Sequence, residues 1–190
     1  NDPTLLENAR DKILSPSFDR FDEAAGFVAA LAWKSTPVAF EIFRETTRAE
    51  LRKALLPSLA AIGKEHLDLF STAFQASDSE LALATLDLIC AADPGRALPQ
   101  VKRAFHHKDP HVRSRALDIV AAQGADQAKG LLLNAVKDAH PTVRMKALKP
   151  LSETKDPKLA KPIFDLTGSS DFEDRTIEEY SFNGQVYMVK

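Results

Sequence analysis

A register of 31 residues runs through most of this chain and limits the folds open to it. Ala54-Leu55, Thr85-Leu86, Ala116-Leu117 and Ala147-Leu148 follow one another at that step. So do Phe43, Phe74, Phe105 and Val136, and so do Ala39, Phe70, Val101, Leu132 and Ile163. Pro110 and Pro141, Val112 and Val143, and Arg113, Arg144 and Arg175 keep the same step. Self-similarity at a fixed period marks a stack of like units, none of which can bury its apolar face alone.

Each unit reads as two helices. The first carries apolar residues at i and i+4, such as Phe70 with Phe74 and Val101 with Phe105, which fall on one helical face. The second surrounds Val112, Ala116, Leu117 and Val120, again in steps of three and four. A short breaker separates the two, Lys108-Asp109-Pro110 in one unit and Ala139-His140-Pro141 in the next. Asp109 suits an N-cap, where its carboxylate accepts a bond from a free N–H of the first turn. Proline suits the first helical position, where no intrahelical N–H bond is lost. Gly63, Gly95 and Gly124 fall in the connections that end the second helices, where glycine commonly closes a helix.

The ends depart from the register. Residues 4–14 and 19–33 predict one more helical pair, with Trp33 packed near its end. Asp171 to Tyr180 reads as the start of a last second helix, with Glu178 and Glu179 where Ala and Leu stood before. After it, Asn183-Gly184 is a turn signal, and the apolar residues that follow read as a strand. The expected organisation is a repeat domain over 1–180. Within it lie an atypical cap over 1–36, regular repeats over 37–160 and a degenerate last repeat over 161–180. A non-helical tail over 181–190 docks on the last repeat, lies disordered or begins a further segment. The chain opens on Asn1 without a signal-peptide pattern. A piece of a longer protein and a processed chain both fit that start.

Composition excludes other classes. Hydrophobic residues at 44% and charged residues at 27% are ordinary for a water-soluble chain. No apolar run approaches the ~20 residues of a membrane-spanning helix. The single cysteine, Cys90, forms no intrachain disulfide and supplies no multi-cysteine zinc site. A reducing, cytoplasmic location is the expectation. The net charge of −2 hides a pattern: −6 over 1–95, +8 over 96–162 and −4 over 163–190. A basic middle between acidic ends steers an anionic partner. Charges spread around solvated helix faces give the same counts.

The run Asp109-Pro110-His111-Val112-Arg113-Ser114-Arg115-Ala116-Leu117 resembles the second-helix signature of HEAT repeats, and Pro141-Thr142-Val143-Arg144-Met145-Lys146-Ala147-Leu148 matches it again. The step is shorter than the ~40–47 residues of ordinary HEAT units. In this it resembles the compact HEAT-like variety associated with phycobilisome lyases. The resemblance is specific over 96–150, in register over 37–95, and poor over 1–36 and 176–190. It implies an all-α, armadillo-like, right-handed superhelix of about five helical pairs, with the second helices lining a concave side. It also implies a ladder of Asp and Arg between neighbouring repeats, here Asp109 with Arg113 and Asp171 with Arg175. Ala82 and His140 interrupt that ladder opposite Asp78 and Arg144.

The implied function is a non-catalytic scaffold or adaptor that presents an extended surface to a protein partner. Arg113, Arg115, Arg144, Lys146 and Lys149 fall on consecutive second helices and are the candidate contacts for an acidic surface. The alternative is nucleic-acid binding through the same stripe, as in DNA glycosylases built from HEAT-like pairs. A sequence pI near 6.2 speaks against that reading, since nucleic-acid domains commonly exceed ~9. Glycosylase-like and lyase-like activities are the minor enzymatic alternatives. Catalytic templates fail: the chain has no Gly-rich phosphate loop, no His-Glu-x-x-His and no Gly-x-Ser-x-Gly. Cys90 reads as a structural thiol on the apolar side of a helix. His106, His107 and His111 surround one turn, and His140 lies at the equivalent turn of the next repeat. HEAT-type iron hydroxylases use His-Glu pairs, whereas this chain has only the reversed Glu65-His66. No metal, cofactor or membrane partner is therefore expected.

Overall fold

The spacing of apolar residues becomes a succession of short helices in the computed structural model, which describes residues 3–31, 33–122, 124–153, 164, 179–182 and 185–188. The first helices of the pairs are α1 (Pro3–Leu14), α3 (Thr36–Glu45), α5 (Leu67–Ser71), α7 (Leu98–Ala104) and α9 (Ala125–Ala135). The second helices are α2 (Phe21–Ala30), α4 (Ala49–Ile62), α6 (Ser79–Ala92), α8 (Pro110–Ala122) and α10 (Pro141–Glu153). A 3-10 turn at Trp33–Ser35 leads into α3, and another at Thr72–Gln75 extends α5. The chain divides into two compact units, residues 1–120 and 121–190.

In the first unit α1 packs on α3 and α2 on α4, while α3 packs on its own partner α4. Next along the stack α4 packs on α6, and α5 lies against both α6 and α7. Two layers result, first helices on one side and second helices on the other, as a helical repeat solenoid requires. The repeating columns supply the core. Ala39, Phe70 and Val101 are buried, as are Phe43 and Phe74, and so are Leu55, Leu86 and Leu117. The Phe70 ring meets that of Phe40 at 5.0 Å, tilted by 46°. In the second unit α9 packs on α10, with Leu132, Val136, Val143 and Ala147 fully buried.

Polar bonds between neighbouring pairs keep the period of the sequence. Arg96 donates to Glu65, Arg103 to Ser71 Oγ at 2.6 Å, and His107 Nε2 to the Ala76 carbonyl at 3.3 Å. Each spans 31 or 32 residues. The Arg96 guanidinium holds the carboxyls of Glu65 and Asp93 below their ordinary values.

Two expectations are modified. Gly63 ends α4, but at φ −97°, outside the left-handed region. A Cβ there would lie 2.7 Å from Phe70 Cε2 and 2.7 Å from the Leu59 carbonyl oxygen, so close approach excludes a side chain. Among the described residues the glycine with positive φ is Gly124, at 109°, which follows α8 with its N–H on the Ala121 carbonyl at 3.1 Å and precedes α9. Trp33 is 57% exposed instead of packed into the first pair, and stacks on His66 at 6.0 Å.

Toward the end of the chain, β1 (Glu179–Phe182) pairs antiparallel with β2 (Gln185–Met188), Tyr180 opposite Tyr187. The strand expected after Asn183-Gly184 is present. Glu179 and Tyr180, expected within the start of a last second helix, belong to β1 instead, where they pair with Met188 and Tyr187 of β2. The rest of that expected helix, with Asp171 and Arg175, lies outside the described residues.

Candidate partner-binding surface

The turn between the helices of a pair positions the basic residues singled out in the sequence. In the fourth pair Pro110 starts α8, and the Asp109 carboxylate accepts the His111 N–H at 2.8 Å. Bonds from Ser79 and from the His111 N–H hold the Asp109 carboxyl below its ordinary value. One turn into α8, Arg113 Nη1 donates to the carbonyls of His107 and Lys108 at 2.8 and 2.9 Å. Those carbonyls belong to the turn that follows α7, where they have no partner within a helix and need a donor. Arg144 repeats the device in the second unit, with Nη1 at 2.9 and 3.0 Å from the carbonyls of Asp138 and Ala139. Its side chain is buried, at 8% exposure.

The remaining candidates sit further out. Arg115 is exposed on α8 and donates to Asp87 of α6 at 2.7 Å. That bond raises the guanidinium pKa above its ordinary value. Lys146 is half-buried and Lys149 exposed on α10. Arg113 and Arg115 thus belong to the first unit, and Arg144, Lys146 and Lys149 to the second.

A groove of about 340 Å³ opens between α4 and α6. Ala49, Leu56, Leu83 and Ala84 line it, with Lys53, Glu80 and Asp87. Cys90 is half-buried on α6; burial pushes its thiol up, with Arg115 opposing that shift. His107 is buried and bonded at both nitrogens: Nδ1 accepts the Asp109 N–H at 3.1 Å, and Nε2 faces the Ala76 carbonyl. It is therefore a link between repeats. His106 and His111 are exposed, and His140 is half-buried with its backbone N–H on Asp138 Oδ1.

The sequence reading missed Arg52. This residue is 5% exposed on α4, donates from Nε to the Phe43 carbonyl at 3.2 Å, and reaches Asp78 Oδ2 of the next pair at 3.2 Å. Asp78 caps α6 by accepting the Leu81 N–H. Partial burial raises the Asp78 carboxyl, but the Leu81 N–H and the Arg52 guanidinium outweigh it and hold the group below its ordinary value. The signal was an arginine one position past the Arg113 register, beside the buried Leu51 that occupies the register itself. Arg48 was missed too; it bonds the carbonyls of Ile13 and Phe18 and ties the first two pairs together.

Stacked helical pairs with capped intra-pair turns define a helical repeat protein. Residues 99–181 match the model of the family described as HEAT repeats, and over that stretch the chain is similar to HEAT-like repeat proteins. No curated protein and no solved structure matches it. HEAT repeats generally mediate protein–protein interaction, and the family is typically non-catalytic. Among the described residues no helix is long and apolar enough to cross a membrane.

Proposed function

We propose that this chain is a non-catalytic scaffold or adaptor whose second helices bind a protein partner with an acidic surface. The observation that carries the reading is the stack of α2, α4 and α6, which leaves an open groove between α4 and α6 with apolar lining and charged residues. Such a groove favours a peptide or helix with an apolar stripe and polar flanks. Within the basic set, Arg115 in the first unit and Lys149 in the second are exposed and act as contacts, with the half-buried Lys146 beside Lys149. Arg113 and Arg144 serve the surface indirectly by fixing the turns from which α8 and α10 start. Charge on such a surface sets on-rate and choice of partner more than affinity.

The test is affinity capture of the tagged chain from its native lysate at low and moderate salt, with retained proteins and nucleic acids both identified. Charge reversal belongs at Arg115 and Lys149, because reversing Arg113 or Arg144 would disrupt turns. A protein retained by the wild type and lost with Arg115→Glu and Lys149→Glu supports the reading. Nucleic acid alone, released by moderate salt, refutes it and supports the nucleic-acid alternative.

A further inference from the structure

A second surface lies away from the groove between α4 and α6, where the turn of the third pair meets the turn of the fourth. A cleft of about 500 Å³ opens there. That size is within the ~300–1,000 Å³ common for ligand clefts. Phe74, Gln75 and Ser77 line it from one turn, and Arg103, His106 and Lys108 from the other.

No carboxylate lines this cleft. The nearby acids already hold partners, one of them Arg103 of the cleft itself. Asp68 takes Arg103 Nη2 at 3.1 Å and Gln100 at 3.3 Å. Asp78 takes the Leu81 N–H and Arg52. Asp109 takes the His111 N–H and Ser79. Turn carbonyls, which would repel an anion, are also occupied: Ala76 by His107, and His107 and Lys108 by Arg113. What faces an incoming group is the exposed Lys108, the exposed imidazole of His106, and the polar side chains of Gln75 and Ser77. Arg103 is held in place by Ser71 and Asp68, and a guanidinium with five N–H donors keeps further donors beyond those bonds.

We propose that this cleft docks an acidic peptide segment of the partner, with Lys108 and Arg103 taking its carboxylates. The proposal rests on the protein-binding reading above and assigns it a second contact surface. A peptide fits better than a nucleic acid. Single strands need stacking aromatics along a basic groove. Phe74, the aromatic of this cleft, is 8% exposed and belongs to the core.

The test selects binders to the full chain from a library of randomised short peptides, then measures their affinity by fluorescence anisotropy. Lys108→Glu and Ser77→Glu change the cleft at two exposed positions. Lys12→Glu, on exposed α1 surface, makes the same charge change as Lys108→Glu elsewhere. Circular dichroism confirms that each variant is folded. The expected result is enrichment of Asp and Glu in the selected peptides, about tenfold or greater loss of affinity with each cleft variant, and no loss with Lys12→Glu. Peptides without acidic enrichment, or equal binding by the cleft variants, overturn the proposal. Binding lost with Arg115→Glu and Lys149→Glu but kept by the cleft variants overturns the cleft and leaves the protein-binding reading standing. Duplex DNA bound in place of any peptide overturns both.

Discussion

Replacing Gly63 by alanine sets two effects of opposite sign against each other. The backbone at Gly63, with φ −97° and ψ 7°, is open to alanine. On chain entropy alone, Gly63→Ala would stabilise by about 0.4–1 kcal/mol. The new methyl would lie 2.7 Å from Phe70 Cε2 and from the Leu59 carbonyl oxygen, and nearer still to Phe70 Cζ. Phe70 has no exposed surface and is backed by Phe40 at 5.0 Å, so its ring has little room to withdraw. Overpacking of a filled core costs about 1–3 kcal/mol. The steric cost exceeds the entropic gain, and a net loss of about 1–2 kcal/mol is expected. Urea unfolding followed by far-UV circular dichroism measures it. Phe70→Leu removes the obstructing ring atoms, so the double variant loses less than the sum of the singles, with a coupling of about 0.5–3 kcal/mol. A raised midpoint for Gly63→Ala, or strict additivity with Phe70→Leu, would refute the close-approach explanation.

Other perturbations separate structural cations from surface ones. Arg52→Met deprives the Phe43 carbonyl and Asp78 of their donor and is expected to cost about 2–4 kcal/mol in urea unfolding. Arg144→Ala leaves two turn carbonyls without that donor, for a loss of about 1–3 kcal/mol. Arg115→Ala breaks an exposed pair and changes stability by less than about 1 kcal/mol. Because the folded Asp78 carboxyl lies below its ordinary 3.8, its ionised form adds stability that is complete above that value and lost as pH falls through the lower folded value. The stability gap between wild type and Asp78→Asn should therefore narrow as pH drops below about 4, and a constant gap would count against the cap.

Apolar periodicity is the part of this fold that a single sequence displays well. Leu55, Leu86 and Leu117 in one column, and Ala39, Phe70, Val101 and Leu132 in another, are buried, because a stacked helix pair has one face to bury and repeats it at successive steps. The cap at Asp109 was equally legible, since its bond is local. Legibility fails where a partner is a backbone carbonyl of a turn or lies in another repeat. Arg113 reads from the sequence as a surface cation or a rung with Asp109, and in the structure it also donates to two turn carbonyls, a partner type that no sequence motif displays. Arg52 escaped notice because it acts from one position outside the register. The cleft at Lys108 went unread because its walls come from segments about 30 residues apart, each unremarkable by itself.

These bonds explain how the third pair keeps its place without an arginine of its own at the register position, where Ala82 stands. Arg52 from the preceding pair reaches Asp78 at the start of α6. His107 from the following pair reaches the Ala76 carbonyl two residues earlier. The turn of the third pair is thus held from both sides, and its local stability depends on its neighbours, as in a one-dimensional stack. His107→Leu tests this directly. It keeps an apolar side chain in a buried place while removing the partners of the Ala76 carbonyl and the Asp109 N–H, each worth about 1–3 kcal/mol when left unpaired. Native-state hydrogen exchange should then quicken by about tenfold or more in residues 75–82 and in the first turn of α8. The amides of α3 and α4, held through Arg48 and Arg52, should keep their protection. Uniform quickening across the first unit would mean that His107 supports global stability alone, and the account of a turn held by both neighbours would fail.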